Sequence, residues 1–328
     1  MKNIQADIKS GNFKQVYLLY GEEAYLKQQY KQNLVKALNP DGDTMNFNHY
    51  EGKGIDVKQL IDLCETMPFF AERRVVLLED TGFFKNKCEE LADYMKELPD
   101  YLYLVFAETE VDKRNRMYKA VKACGSIAEF IRQDEKTLMR WAAGILGKAG
   151  KKITQRDMEL LLTKTGTDMG NLRMEMEKLI SYTEGRDVVT AEDIEEICTT
   201  QTTNRIFDMV RAVTEKNQKR ALELYYDLLT LKEPPMRILF LLAKQYRQLL
   251  LAKQFAAAGL AQTEIASKLG VPGFVVRNIT TCARAYTISE LEKAVKDFVD
   301  AEESVKTGRL EDKLSVELLI IKYSSKVK

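Results

Sequence analysis

The residues that most enzyme centres are built from are scarce in this sequence. In 328 residues there is one histidine, one tryptophan and five cysteines. A Ser-His-Asp or Cys-His arrangement would have to use His49, which stands in the polar run Asn46-Phe47-Asn48-His49-Tyr50 and reads as a surface histidine. Cys64, Cys88, Cys124, Cys198 and Cys282 are odd in number, show no C-x-x-C spacing and leave His49 without a nearby cysteine. A zinc site needs four converging ligands, so none is expected; reduced, mostly buried thiols are. Excess charge is missing too. Fifty basic residues face 49 acidic ones for a net charge of +1. That excludes a whole-chain electrostatic hold on nucleic acid or an anionic membrane and leaves local patches open. No apolar run reaches about 18 residues, and Met1-Lys2-Asn3-Ile4 does not open a signal peptide. The expectation is a cytoplasmic protein with no membrane span, no metal, no cofactor and no intrinsic catalytic site.

What the chain does have is a helix-rich globular composition, 45% hydrophobic and 30% charged with 17 Gly and 6 Pro. Its length predicts two or three domains. Ile4, Ile8 and Phe13 predict a short first helix. Val16-Tyr17-Leu18-Leu19-Tyr20, closed by Gly21, has the pattern of a buried strand. A helix follows from Glu22 to about Leu38, with acids in its first turn, and Asn39-Pro40-Asp41-Gly42 is a turn. A further helix spans Val57 to Thr66, and two more buried strands span Arg74 to Leu78 and Tyr101 to Phe106. Strands alternating with helices predict a mostly parallel sheet covered on both faces.

From Gln133 onward the pattern turns helical. Lys136 to Gly147 carries Trp141 as a core anchor, followed by Asp157 to Thr165 and Asn171 to Tyr182. Thr190 is an N-cap opening a helix to about Cys198. Gln201-Thr202-Thr203-Asn204 reads as a linker. Beyond it come long apolar-periodic helices: Ile206 to Thr214, Gln218 to Leu231, Pro235 to Ala257, Thr263 to Leu269, Gly273 to Arg284, Ser289 to Val305 and Leu314 to Tyr323. Met236, Leu239, Phe240, Leu242, Ala243 and Tyr246 carry more apolar surface than one face needs. That fits a helix inside a bundle, with partner packing as the alternative.

Three candidate chemistries can be weighed from the residues. A P-loop needs G-x-x-x-x-G-K-[ST] between the first strand and its helix, because glycine amides and a lysine must wrap the phosphates. Gly21-Glu22-Glu23-Ala24-Tyr25-Leu26 has neither the second glycine nor the Lys-Ser/Thr pair, and two carboxylates stand where phosphate would sit. Leu77-Leu78-Glu79-Asp80 has the outline of a strand ending in Mg²⁺-binding acids, but without a phosphate cradle it reads as a solvated strand end. The pairs Glu89-Glu90, Glu195-Glu196 and Glu302-Glu303 read as solvated helix faces. Thr263 to Pro272 has helix-turn-helix spacing, with Ala266 and Gly270 at the corner. Its second helix offers Phe274, Val275, Val276 and Ile279 with Arg277 and Arg284 as cations, which suits a hairpin within a bundle better than a base-reading helix.

The stretch on which the first domain turns is Glu65-Thr66-Met67-Pro68-Phe69-Phe70-Ala71-Glu72-Arg73-Arg74. It ends an amphipathic helix at a proline and feeds a buried strand. Phe69 and Phe70 either tuck under the sheet or protrude as an anchor that fills a partner's pocket.

Val16 to Glu23, Met67 to Val76, Leu104-Val105-Phe106, Asp112-Lys113-Arg114 and Val305-Lys306-Thr307-Gly308 together resemble the delta subunit of the bacterial DNA polymerase III clamp loader, in family order along the whole chain. The resemblance implies an α/β plus all-α protein of AAA+ type. It would have an AAA+-like α/β clamp-binding domain lacking a P-loop (1–135), a helical lid (136–203) and a helical collar for oligomerisation (204–328). It also implies a subunit that binds and helps open the sliding clamp (the beta subunit) for loading onto primed DNA and hydrolyses no ATP itself. Met67, Phe69 and Phe70 would enter the clamp's hydrophobic pocket, and the collar would join the gamma/tau and delta prime subunits. Primed DNA is a partner within the complex, with Lys306 and Arg309 as possible contacts. The family often has a small residue and leucine before the phenylalanine, where this chain has Pro68-Phe69. The competing readings are a helix-turn-helix DNA-binding protein and an AAA+ ATPase with a degenerate site.

Overall fold

The computed structural model describes residues 2–199 and 202–325. The chain forms two compact units, Met1–Gln133 and Asp134–Lys328.

The first unit begins with α1 (Lys2–Ser10), β1 (Val16–Tyr20), α2 (Ala24–Leu38), β2 (Phe47–Glu51) and α3 (Val57–Cys64). It continues through β3 (Arg74–Glu79), α4 (Glu89–Tyr94), β4 (Leu102–Glu108), α5 (Arg116–Cys124) and β5 (Ser126–Glu129). All neighbouring strands run parallel, in the order β2-β3-β4-β1-β5. The two-residue period of a strand sorts β1 cleanly. Val16, Leu18 and Tyr20 face a core shared with Leu60 of α3, Leu91 of α4 and Met117 of α5, while Tyr17 and Leu19 face Ile4 of α1 and Leu34 of α2. The sheet is therefore covered on both sides, and its central strands are apolar apart from Arg74, Glu79 and Glu108 at their ends because both faces are dry.

Three local expectations are corrected. The acids before α2 are not in its first turn: Glu23 is the N-cap, and the helix starts at Ala24. β2 and β5 were not foreseen; both are short edge strands without an apolar run. Glu79 is not a solvated strand end. Lys31 Nζ lies 2.6 Å from its carboxylate and His49 Nε2 lies 2.9 Å away, so α2, β2 and β3 meet in one ionic cluster.

The turn where a P-loop would lie is closed by the chain itself. Gly21 has φ +124°, and a Cβ placed there would lie 2.3 Å from the carbonyl oxygen of Phe130. The same carbonyl accepts the N–H of Glu23 at 3.0 Å, and Phe130 donates its own N–H to Tyr20 at 2.7 Å. Glycine is needed here for its backbone angle and for room.

The second unit holds α6 (Glu135–Lys148), β6 (Lys152–Ile153), α7 (Gln155–Thr165), α8 (Met169–Tyr182), β7 (Val188–Val189) and α9 (Ala191–Ile197). β6 and β7 pair as a small parallel ladder that the sequence reading did not contain. These elements share one core around Leu161, Leu172, Met176 and Ile194, against which Trp141 packs. Thr190 and Asp193 close the capping box that opens α9.

A separate core belongs to α10 (Thr202–Thr214), α11 (Gln218–Thr230), α12 (Pro235–Ala257), α13 (Gln262–Leu269), α14 (Gly273–Ala283), α15 (Ile288–Lys306) and α16 (Asp312–Ser324). Of the stretch read as a linker, Gln201 lies outside the described residues and Thr202-Thr203-Asn204 belong to α10. Along α12, Leu239, Leu242 and Tyr246 are buried and Phe240 is exposed. Tyr246 meets Tyr286, Phe298 and Tyr323 ring to ring, and its hydroxyl shares a 3.1 Å hydrogen bond with that of Tyr286. Among the described residues no helix is long and apolar enough to cross a membrane.

Gly21→Ala is expected to lower the stability of the first unit by about 2–4 kcal/mol, through the clash with Phe130 and the strained φ. Urea unfolding followed by circular dichroism measures it; an unchanged midpoint contradicts the close contact.

Candidate functional site

The corner between α3 and β3 is built by a helix that stops and a strand that has not begun. Asp56 caps α3 by accepting the N–H groups of Lys58 and Gln59, and Leu60 and Cys64 are its buried residues. Burial pushes the Cys64 thiol up to about 12. Pro68 has no N–H and disfavours helix in the residue before it, so the chain leaves the helix here.

Beyond that point the backbone bonds to side chains from the sheet. Asn46 donates its Nδ2 to the carbonyl of Phe69 at 2.9 Å and accepts the Phe69 N–H on its Oδ1 at 2.6 Å. Asn46 is 3% exposed, and its own carbonyl accepts the N–H of Val75 at 2.9 Å. Arg74, also buried, donates Nε to the carbonyl of Thr66 at 2.8 Å and Nη2 to that of Met67 at 3.3 Å. Its Nη1 reaches Asn48 Oδ1 at 3.2 Å. Tyr101 donates its hydroxyl to the carbonyl of Glu65 at 2.8 Å. Asp43 supports the frame: the Asn46 amide and the Met45 N–H hold its carboxyl below the usual carboxylate range.

With the backbone held from below, the side chains stand outward. Met67 is 76% exposed, Phe69 56% and Phe70 94%. The phenyl rings pack edge to face, 4.5 Å between centroids and 79° between planes. Phe70 has φ +50°, a left-handed conformation unusual for a large side chain. Met45, beside Asn46 in the chain, is exposed as well. On the other side of the turn, Arg73 lies over the rings of Phe13 and Tyr103. The reading in which Phe69 and Phe70 tuck under the sheet is therefore overturned: the Asn46 and Arg74 bonds occupy the inner side of the corner. Sequence reasoning missed Asn46 and saw in Arg74 only the start of a strand. Its signal, an arginine heading an otherwise apolar run, was present.

The other candidates read differently in three dimensions. Lys306 ends α15 and pairs with Glu302 at 2.5 Å, while Arg309 pairs with Glu303 at 2.8 Å. Both cations are exposed and already answered by a carboxylate. In the helix-turn-helix stretch, Gly270 does form a left-handed corner, but Val276 and Ile279 of α14 are buried in the bundle core and Arg277 lies 3.8 Å from Glu159 of α7. The side chain of Phe274 lies outside the described residues. Asp80 accepts the N–H of Thr109 at 2.9 Å, and among the described residues no group of acids, histidines and cysteines could hold a metal ion.

Comparison with known proteins bears on these features together. Residues 17–130 match the family model described as "DNA polymerase III, delta subunit". Residues 203–323 match "DNA polymerase III delta subunit, C-terminal domain", and the two take in well over half of the chain. The DNA polymerase III subunit delta of Bacillus subtilis is 26% identical over 332 residues, covering 97% of this chain and 95% of that protein. The probable DNA polymerase III subunit delta of Aquifex aeolicus is 22% identical over 270 residues, covering 78% of this chain and 75% of that protein. Among solved structures, the Bacillus subtilis DNA clamp loader delta protein superposes with a TM-score of 0.68 at 24% identity, covering 99% of both chains. The α/β plus all-α architecture is the one found.

Because the exposed rings support no core, Phe69→Ala combined with Phe70→Ala is expected to change stability by less than about 1 kcal/mol. A melting temperature lowered by many degrees would show that the rings pack inside after all.

Proposed function

The chain belongs to the delta-subunit family of DNA polymerase III, and from that premise we propose that it serves in the clamp loader as the subunit that grips the sliding clamp and helps open it for loading onto primed DNA. The observation that carries this reading is the exposed corner of Met67, Phe69 and Phe70 on a hydrogen-bonded frame. Exposed aromatics that cluster on a rigid turn are the kind of group that anchors an interface in a partner's pocket. Burying two phenylalanines supplies roughly 3–6 kcal/mol of gross driving force. A corner already ordered before contact loses little freedom on binding.

Grip alone does not open a ring. The clamp shifts towards its open form only if this surface fits the open shape better than the closed one; equal affinity for both moves nothing. The anchor holds the first unit on the clamp near a subunit boundary, and the adjoining α3 provides the surface that discriminates the two shapes.

The division of labour is the one that membership of the family supports. Residues 1–135 act as the clamp-binding domain, 136–203 as the lid and 204–328 as the collar that joins gamma/tau and delta prime. With Gly21-Glu22-Glu23 closed against Phe130, ATP is bound and hydrolysed by those neighbours, and their state decides when the corner is exposed to the clamp. The complex works in the cytoplasm. Lys306 and Arg309 are the candidates for contact with primed DNA. Any such contact displaces Glu302 and Glu303, so neutralising both cations is expected to lower the salt slope of DNA binding by about two at most.

Phe69→Ala combined with Phe70→Ala is expected to weaken binding to the sliding clamp about 10²- to 10⁴-fold, read by calorimetry on the full chain. Clamp affinity that survives the double change sinks the anchor assignment. Titration of the same chain with ATP tests the competing ATPase reading, and the expected result is no heat of binding.

A further inference from the structure

We propose that Asn46 and Arg74 are positioning residues for the clamp anchor, holding the Phe69-Phe70 corner in its bound shape before the partner arrives; this rests on the clamp-binding reading above. Neither side chain has an apolar role, yet both are buried beneath the corner. Asn46 pairs with both the N–H and the carbonyl of Phe69 as a neighbouring strand would, and its amide nitrogen is steered there by a second bond to Asp43 Oδ2 at 2.5 Å. Arg74 gathers the carbonyls of Thr66 and Met67, the two residues before Pro68. Between them they answer three of the corner's carbonyls and one N–H, and Pro68 has no N–H to answer.

The frame has one further geometric effect. Asn46 and Arg74 sit at the start of neighbouring strands: the Asn46 carbonyl accepts the N–H of Val75, and Arg74 donates its own N–H to the carbonyl of Tyr101. The anchor is thus referenced to the sheet across β2, β3 and β4 rather than to the end of α3 alone. Rings fixed this way meet a pocket without first being ordered, which is a gain in affinity that no contact list between ring and pocket would contain. The left-handed φ of Phe70 is the conformation that such a frame must maintain against its own cost.

The test is the affinity of the full chain for the sliding clamp with Asn46→Ala and with Asn46→Asp, alongside the melting temperature and hydrogen exchange at the Phe69 amide. Asn46→Ala is expected to weaken binding about ten- to a hundredfold and to speed Phe69 exchange. Asn46→Asp keeps the acceptor for the Phe69 N–H but sets a buried carboxylate against that of Asp43 and against the Phe69 carbonyl, so it should bind no better than Asn46→Ala. The comparison in a Phe70→Ala background carries the test if the alanine variant melts early. Because Asn46 acts through the rings, its effect should shrink in a Phe70→Ala background, which a general loss of stability would not produce. Wild-type affinity in Asn46→Ala, with binding lost in the double ring variant, overturns the positioning role and leaves the clamp reading intact. Unchanged affinity in the double ring variant overturns the clamp reading itself.

Discussion

Polar backbone on the inner side of a turn has to be answered, and between α3 and β3 it is answered from beneath by one buried amide and one buried guanidinium. Leaving such groups unpaired would cost about 1–3 kcal/mol each, more for the charged one. Arg74 is a buried cation whose donors go to the carbonyls of Thr66 and Met67 and to Asn48. Removing Arg74 would leave those two carbonyls without their donor and the loop without its tie to the sheet. This constraint decides the surface chemistry of the first unit. Once the inner side of the turn is taken by hydrogen bonds, the large side chains of Met67, Phe69 and Phe70 have only the outside left.

The same logic of internal satisfaction runs through the sheet edge. In nucleotide-binding relatives of such folds, phosphate bridges the first strand and its helix. Here Lys31 of α2 reaches Glu79 at the end of β3, and His49 of β2 reaches the same carboxylate. Lys27, one turn earlier, donates to the carbonyl of Glu108 at the end of β4. Helix and sheet are tied by the protein's own charges. The half-buried Lys27 is held below its ordinary pKa, chiefly by loss of water around it.

How much of this could be read beforehand depended on where the information lay. The central strands Val16–Tyr20 and Arg74–Glu79 announce themselves because both faces are buried and every residue must be apolar or pair with something. Phe47–Glu51 and Ser126–Glu129 lie at the edges, half wet, and carry no apolar run to find. Most helices of the second unit were legible to within about two residues because long amphipathic periods and the Thr190 cap mark them locally, whereas α10 begins at Thr202, inside the polar stretch read as a linker. Whether Phe69 and Phe70 turn in or out was not legible. The same two letters serve both states, and the deciding partner, Asn46, lies 23 residues earlier in a stretch whose polarity looked like exposure.

The Gly21 contact also bears on what this turn could be altered to hold. A loop able to wrap a triphosphate would need more residues between β1 and α2 and, at the same time, withdrawal of the chain around Phe130, whose carbonyl is already bonded to Glu23. Neither change is useful without the other, and each alone breaks contacts that hold the first unit together. A phosphate-wrapping loop therefore cannot be reached from this arrangement by any single substitution, since the same carbonyl that shuts the turn also holds the start of the helix.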